Sequence, residues 1–408
     1  MNISIIGCGA SGMTAAISAI RNGADPECIT IYEASDRPGR KILATGNGRC
    51  NLGNEFLDRS CFYVSDDRGR TFVDGILSSF STDDLKEFFD SLGIITVSKN
   101  GYLYPRSLQA LSVLDALVKT CEDAGVRIEY SSPVTGIKKT GDRILLNFGD
   151  CSEETDRVII SSGMGSGGFA IKGIDALGIF DGLGLELRKA YPALCGLKVS
   201  DDIRSVAGVR AHGKVTLMSE KTDLGEDEGE IQFTKETVSG IPVFQVSRQA
   251  SAYLADGRRV YAVLDLMPEV SADDVSEMIR KRIRMYPERE AAFLLNGVLN
   301  NKLSSYVLKR SGIKNELKTG QIDYDKTVRL SDNIKALKFD ITGTESAEKA
   351  QTMEGGISLN EVRDDLELKK HKGIYVAGEL LDIDGKCGGY NLYLAWATGL
   401  IAGRSAAL

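Results

Sequence analysis

Histidine is nearly absent from this 408-residue chain, which holds only His212 and His371, in different regions. Two isolated imidazoles build neither a Ser-His-Asp grouping nor a metal-ligand cluster, so a hydrolytic triad and a bound metal are not expected. The eight cysteines (8, 28, 50, 61, 121, 151, 195, 387) are scattered, with no Cys-x-x-Cys and no paired spacing. That pattern suits reduced thiols in a cytosol better than a disulfide framework or a zinc site. Positive charge is not in excess: 50 Lys and Arg stand against 57 Asp and Glu, a formal net charge of −7. Such a balance argues against a chain built to coat nucleic acid or an anionic membrane, and no nucleic-acid partner is expected. Long apolar runs are missing too. The stretch from Leu392 to Leu408 is broken by Thr398, Gly399, Gly403 and Arg404, whereas a membrane span needs about 20 mostly apolar residues. It reads as a buried helix. The chain opens directly on a strand, Asn2-Ile3-Ser4-Ile5-Ile6, rather than on a secretory leader, and the expected location is cytoplasmic.

Glycine, by contrast, is abundant at 44 residues while proline is scarce at 8, a balance that favours tight backbone approaches. Residues 1–33 read as strand, glycine turn, helix and strand. Met13, Ala16, Ile17 and Ile20 recur at helical spacing, Gly23 closes the helix, and Ile29-Thr30-Ile31-Tyr32 forms the second strand. This is one βαβ unit, the start of a parallel sheet covered by helices. Helices follow over Thr82–Leu92 and Ala110–Ala124, then strands over Val126–Tyr130, Arg143–Phe148 and Arg157–Ile160. Around Pro192 the pattern changes. Short alternating segments up to Leu266 indicate an antiparallel β unit, with the acidic Glu226-Asp227-Glu228 between Gly225 and Gly229 read as a solvated hairpin tip. Ser271 and Asp273-Asp274 suit a helix start, and helices run from there to Lys318. The run Arg280-Lys281-Arg282-Ile283-Arg284 reads as a solvated helix face in preference to a nucleic-acid patch. The α/β pattern returns at Gly373-Ile374-Tyr375-Val376-Ala377-Gly378, so the middle of the chain is an insertion and both ends build one domain.

Gly7-Cys8-Gly9-Ala10-Ser11-Gly12 fits G-x-G-x-x-G at the join of that first strand and helix. Gly7 permits the tight turn, Gly9 lets the backbone approach a pyrophosphate, and Gly12 allows close helix–sheet packing. The pyrophosphate then sits on the helix N-terminus, whose free N–H groups favour an anion. Glu33, followed by Ala34, ends the second strand twenty-one residues beyond Gly12, where a carboxylate accepts hydrogen bonds from an adenosine ribose. This triad marks a dinucleotide and does not by itself separate FAD from a nicotinamide cofactor.

Two further segments favour flavin. Gly39-Arg40-Lys41-Ile42-Leu43-Ala44-Thr45-Gly46-Asn47-Gly48-Arg49-Cys50-Asn51 combines close-approach glycines with the cations Arg40, Lys41 and Arg49 and the amides Asn47 and Asn51, suited to a polar ring edge. Near the end, the strand closing on Gly378-Glu379 leads through Leu381-Asp382-Ile383-Asp384-Gly385 to Gly388-Gly389-Tyr390-Asn391-Leu392, which opens the last helix. That second helix N-terminus is expected to face the flavin pyrimidine carbonyl, where negative charge grows on reduction. Val134, Ser162 and Gly163 complete the candidate cofactor residues, the last two at the end of the Arg157–Ile160 strand. Gly163-Met164-Gly165-Ser166-Gly167-Gly168 lacks a following strand and acid, so it reads as a flavin-side turn and not as a second nicotinamide site. Cys50 and Cys387 read as small loop residues.

These segments resemble the FAD-binding family of BaiN-like bile-acid dehydro-reductases and aminoacetone oxidases. The hallmarks are G-R-K-hydrophobic-L-x-x-G-x-G-R-C-N and G-E-x-L-D-x-D-G-x-x-G-G-Y-N-L, with weaker agreement at Tyr191–Leu194, Glu230–Thr234 and Ser239–Pro242. The resemblance implies an α/β fold: a three-layer Rossmann-like FAD-binding domain with an inserted β-barrel and a helical subdomain that cover the flavin face. In residue numbers it implies a FAD domain over 1–192 and 338–408, a barrel over 193–270 with its return at 319–337, and a helical insert over 271–318. The sequence departs from the family at Thr234-Lys235, where relatives have Thr-His, and at Ile241, which separates Gly240 from Pro242. A third departure is Ser161-Ser162-Gly163-Met164 in place of Ala-Thr-Gly-Gly.

The implied chemistry is hydride transfer at flavin N5 to or from a small organic molecule, since flavin carries the hard step and the protein orients it. NAD(P)H, docking transiently, would feed reduction of an unsaturated or keto compound; oxygen would serve amine oxidation. No catalytic acid or base stands out. The alternative is a flavoprotein that binds RNA or a protein, with FAD structural or a sensor.

Overall fold

Short inner strands rich in isoleucine and valine, buried along nearly their whole length, make the heart of the central sheet. In the computed structural model, which describes residues 1–65 and 67–408, six strands lie in the order Glu367–Leu368, His371–Val376, Arg157–Ile160, Ile3–Ile6, Ile29–Tyr32 and Arg127–Glu129. All neighbours are parallel except the outermost Glu367–Leu368. Ile3, Ile5, Ile6, Ile29, Ile31 and Val158–Ile160 are all buried, as parallel strands covered on both faces must be. Register pairs Ile6 with Tyr32 and with Ile160, and Ile160 with Val376. Gly7, Glu33, Ser161 and Ala377 therefore leave the sheet at one edge, the carboxyl edge where open α/β sheets place their ligands.

The first helix, Ala10–Arg21, and the last, Tyr390–Ala407, pack against each other across glycine. A Cβ on Gly399 would lie 2.2 Å from Thr14 Oγ1, and one on Gly403 would lie 2.1 Å from the Ala15 carbonyl oxygen. Ser18 Oγ donates to the Leu400 carbonyl at 2.6 Å across the same contact. The last helix is apolar on nearly all sides because Trp396, Tyr393, Ala397 and Ile401 are buried in the core of this unit. No helix among the described residues is long and apolar enough to cross a membrane.

Both chain ends form this first unit, residues 1–191 with 347–408; residues 192–346 form a second. The second is a closed six-stranded barrel in the order Leu197–Val199, Thr237–Ser239, Thr222–Phe233, Arg210–Ser219, Val260–Asp265 and Leu337–Thr344. Alternate residues fill its interior, among them Val215, Leu217, Ile231, Phe233, Ala262, Leu264, Phe339 and Ile341. Helices Ala272–Met285, Asn301–Arg310 and Tyr324–Lys335 lie between its last two strands in sequence.

Three expectations for this unit are corrected. Glu226-Asp227-Glu228 is no hairpin tip: it lies within the strand Thr222–Phe233, and the chain turns at Glu220-Lys221. Cations on the neighbouring strand make this possible. Lys214 Nζ stands 2.7 Å from Glu226 Oε1, and Arg210 Nη1 stands 2.8 Å from Glu230 Oε1. The barrel does not return over 319–337, because Asp323 caps a helix there, accepting from the Lys326 N–H at 2.7 Å, and Thr327, Leu330 and Ile334 are buried at helical spacing. The returning strand is Leu337–Thr344, so the barrel extends past residue 338 and the first unit resumes at Ala347. Finally, Ile241–Ala255 is a helix with proline in its first turn, buried through Val243, Val246, Ser247 and Ala250. Its apolar positions resemble strand alternation over short windows, which hid it.

The glycine contact between the first and last helices is testable. Gly403→Val should cost about 1–3 kcal/mol through overpacking and lower the thermal midpoint by several degrees. Gly75→Ala, in an exposed helix position whose Cβ meets no atom within 4 Å, should stabilise by about 0.5–1 kcal/mol. Equal melting of Gly403→Val and wild type would remove the contact from the account.

Candidate functional site

Three glycines divide the work at the sheet edge. Gly7, at φ +99°, lies so close to the end of the Arg157–Ile160 strand that a Cβ would sit 2.7 Å from the Ser161 carbonyl oxygen. A Cβ on Gly12 would sit 1.9 Å from the Gly7 carbonyl oxygen, so the helix packs directly on its own entry turn. Gly9 differs: its Cβ would meet no protein atom within 4 Å. It is the N-cap of the helix, without a side-chain cap bond, so the N–H groups of that helix end open onto free space beside it. Ser11 is buried and faces Gly378, whose Cβ would lie 2.6 Å from Ser11 Oγ; Ala10 is half-buried at the helix start.

Glu33 ties the turn to the second strand. Its Oε2 accepts from the Cys8 N–H at 2.8 Å, and its Oε1 accepts from Ser35 N–H at 2.8 Å and Ser35 Oγ at 2.7 Å. The carboxylate is thus engaged with the protein first: Oε1 is filled by two donors, and Oε2, with one, keeps lone-pair capacity for a further donor. Burial, and then the Glu33 charge, push the Cys8 thiol well above its ordinary pKa. Ala34 is half-buried beside Glu33. The Ser132 N–H donates to the Glu33 carbonyl at 2.9 Å, which brings the loop of Val134, itself buried, to the same strand end. The Gly39 N–H donates to the Cys8 carbonyl at 2.9 Å and starts the Arg40–Asn51 segment there.

Lys41 and Glu379, 338 positions apart, are paired with each other. Lys41 Nζ donates to Glu379 Oε2 at 2.9 Å and to Ser166 Oγ at 2.6 Å. Glu379 Oε1 accepts from Ser166 Oγ at 2.8 Å, Thr352 Oγ1 at 3.0 Å and the Met353 N–H at 3.0 Å, while Oε2 also accepts from the Met164 N–H at 3.3 Å. Burial raises the pKa of this carboxyl, but the Lys41 charge and hydrogen bond, with Ser166 and Met164, outweigh it and hold the group below its ordinary value. Gly163, at φ +67°, passes 3.3 Å from Glu379 Oε2 at its Cβ position. Ser166 and Thr352 escaped the sequence reading. Ser166 carried a weak signal in its flanking glycines, and Thr352 carried none.

The second helix start is built on the front segment. Gly389, at φ +96°, is the N-cap of Tyr390–Ala407 and has no side-chain cap bond. A Cβ on it would lie 2.5 Å from the Gly53 carbonyl oxygen and 2.8 Å from Asn51 Oδ1. Asn54 Nδ2 donates to the Gly388 carbonyl at 3.0 Å. Asn391 is spent on the backbone, accepting from the Gly385 N–H and donating to its carbonyl, both at 2.8 Å. Asp384 is buried in the strand Ile383–Gly385, which pairs with Phe62–Val64, and Leu392 is half-buried. Asn51 Oδ1 is buried and accepts no hydrogen bond from the protein.

Asn47, Gly48 and Arg49 are exposed on a loop where Gly46, Asn47, Gly48 and Cys50 all have positive φ. For Asn47 at +55° and Cys50 at +57° that conformation is uncommon and marks a constrained loop. Burial pushes the Cys50 thiol up to about 12, against a smaller downward pull from a Thr45 hydrogen bond. That thiol is no nucleophile at neutral pH. Arg40 lies over the Phe169 ring at 5.4 Å, and Ser162 is exposed.

The Lys41–Glu379 pair generates a pH prediction. A carboxyl whose folded pKa is lowered stabilises the fold above its unfolded pKa, about 4.3, and that stability is lost as pH falls through the folded value. Denaturant melts of wild type should therefore lose stability from pH 5 downward more steeply than Glu379→Gln. Parallel curves would contradict the assignment.

Comparison with known proteins follows from this geometry. A family model described as HI0933-like protein Rossmann domain matches residues 1–405. The chain is 38% identical to a 3-dehydro-bile acid delta(4,6)-reductase of Clostridium scindens, covering 99% of this chain and 98% of that one. It is 25% identical to a ribosomal RNA dihydrouridine synthase of Escherichia coli K12, covering 97% and 95%. A ribosomal RNA dihydrouridine synthase of Haemophilus influenzae is 24% identical with the same coverage. The glycine edge assembled from both chain ends and a match over the whole length agree: this chain belongs to the HI0933-like Rossmann family and is a FAD-dependent oxidoreductase.

Proposed function

We propose that the chain reduces a carbon–carbon double bond conjugated to a carbonyl group, with NAD(P)H as the source of the hydride that bound FAD would relay and solvent as the source of the proton that completes the addition. The observation that carries this reading is the whole-length 38% identity to a relative named for reducing a 3-dehydro-bile acid at delta(4,6). The more distant relatives are named for making dihydrouridine, whose formation also adds two hydrogens across a ring double bond beside a carbonyl. One reaction type therefore covers both names.

The residues fit the cofactor. The open space at Gly9 and the uncapped start of Ala10–Arg21 suit a pyrophosphate, held by backbone N–H groups with no side chain in the way. Glu33 retains acceptor capacity for an adenosine ribose, with Ala34 and Val134 beside it. Asn51 Oδ1, buried and unpartnered, suits a ring donor, and the uncapped start at Gly389 suits the carbonyl end of the pyrimidine. Asn47, Gly48 and Arg49 are exposed on the same segment. Bound there, FAD supplies a two-electron carrier able to accept and return hydride. Lys41 and Glu379 act through each other: their pairing binds the Arg40–Asn51 segment to the Gly163 turn and to the end of the His371–Val376 strand. They position the site rather than offer free charge to it.

A second reading keeps the chemistry and changes the substrate, placing the reducible ring in RNA. It is favoured by relatives named for ribosomal RNA whose likeness spans 97% of this chain.

Anaerobic mixing with NADH or NADPH should bleach the flavin absorbance, and an added enone should restore it. Bleaching by an amine, with no response to either nucleotide, would overturn the reductase reading in favour of amine oxidation. Gly9→Val should fold and melt like wild type, since its Cβ would meet no protein atom within 4 Å, yet bind FAD at least about tenfold more weakly, a loss of ~1.4 kcal/mol. Full flavin content in that variant would contradict the pyrophosphate assignment.

A further inference from the structure

The second unit carries a cationic, aromatic face that the flavin chemistry does not use. Residues 272–335, the helical lobe, hold 13 Lys and Arg against 9 Asp and Glu, a net +4 in a chain whose formal charge is −7. The density peaks from Arg280 to Arg289, where five cations stand against Glu288 alone. Large exposed side chains gather in the same lobe: Met285 at 55% exposure, Tyr286 at 40%, Phe293 at 56% and Tyr324 at 69%. Outside it, Phe56 is the one other aromatic among the described residues' large exposed apolar side chains.

Cations and rings interleave here. The Arg289 guanidinium lies 4.1 Å from the Tyr286 ring centre, and that of Arg280 lies 5.9 Å from the Tyr324 ring centre. The two pairs are held near each other, since Thr319 Oγ1 donates to the Tyr286 carbonyl and the Gly320 N–H donates to the Pro287 carbonyl at 2.9 Å, four residues before Tyr324. Part of the charge is already spent. Arg282 donates to the Leu294 and Asn296 carbonyls at 2.8 and 3.0 Å, Arg284 pairs with Glu277 at 2.6 Å, and Lys326 pairs with Asp323 at 2.8 Å. Arg280, Lys281 and Arg289 remain without an acidic partner within ion-pair distance among the described residues.

We propose that this face of the helical lobe docks single-stranded RNA. Exposed rings backed by guanidinium groups form a platform on which bases stack, and the flanking cations track the phosphates. Its positive charge complements a polyanion while the rest of the chain, at −11 by difference, repels one. The proposal extends the reading in which the reducible ring belongs to RNA, and it concerns binding alone, so it can fail while the reductase chemistry stands.

The test uses full-length holoenzyme and a fluorescein-labelled oligouridine, read by anisotropy across a salt series. Wild type should bind, with log affinity falling by about 0.7 per log unit of salt for each phosphate contacted. Arg289→Ala should reduce that slope by about 0.7. The double variant Tyr286→Ala with Tyr324→Ala should weaken binding about tenfold or more, while flavin content and bleaching by NAD(P)H stay as in wild type. Three results overturn the proposal: no binding at low salt, binding that the double variant leaves unchanged as for heparin, or loss of self-association in that variant, which would make the face a contact between copies of the chain.

Discussion

Backbone must touch backbone at the carboxyl edge of the central sheet, and the rest of the first unit depends on that contact. The Gly7 carbonyl, the start of the first helix, the end of the Arg157–Ile160 strand and the Gly378 turn lie within distances that exclude a Cβ at Gly7, Gly12 or Gly378. Because those points come from the front, the middle and the end of the chain, the edge exists only once both ends have folded together. The glycine contacts of Gly399 and Gly403 with the first helix enforce the same union one layer away. Gly9 alone among the glycines of that first turn is released from this constraint, since a Cβ there would meet no protein atom within 4 Å.

Polar groups then lock what the glycines permit. Glu33 joins the first turn to the second strand, and Glu379 gathers Lys41, Ser166, Thr352 and two backbone N–H groups. A carboxylate with that many donors is well satisfied even where solvent is scarce. Both acids stand in the sequence as candidate cofactor residues. Their partners show that each joins separate segments of the sheet edge through the protein's own donors.

What the sequence disclosed was whatever depends on local pattern. The βαβ start, the last helix and the two glycine-rich segments follow from periodicity and from residues whose roles are set by backbone geometry. The helix Ile241–Ala255 is masked by local apolar positions that mimic strand alternation, whereas the strand holding Glu226–Glu228 exists because neighbours across the barrel override local preference: Lys214 and Arg210 make an acidic strand tolerable, and no residue near Glu226 announces them. Thr352 joins the Glu379 network from a distant segment, which spacing cannot reveal. A net charge averaged over 408 residues conceals a lobe of opposite sign, and the exposure of Tyr286, Phe293 and Tyr324 emerges only with the fold.

The central claim is that one FAD binds to a glycine edge made by both chain ends. Its most direct measurement is the identity and stoichiometry of flavin released on denaturing the purified full-length chain, after reconstitution with a mixture of FAD and FMN. The account predicts FAD, close to one per chain, with FMN excluded for want of the adenosine that Glu33 and the Gly9 turn would hold. Release of FMN, or of no flavin after reconstitution, would contradict it.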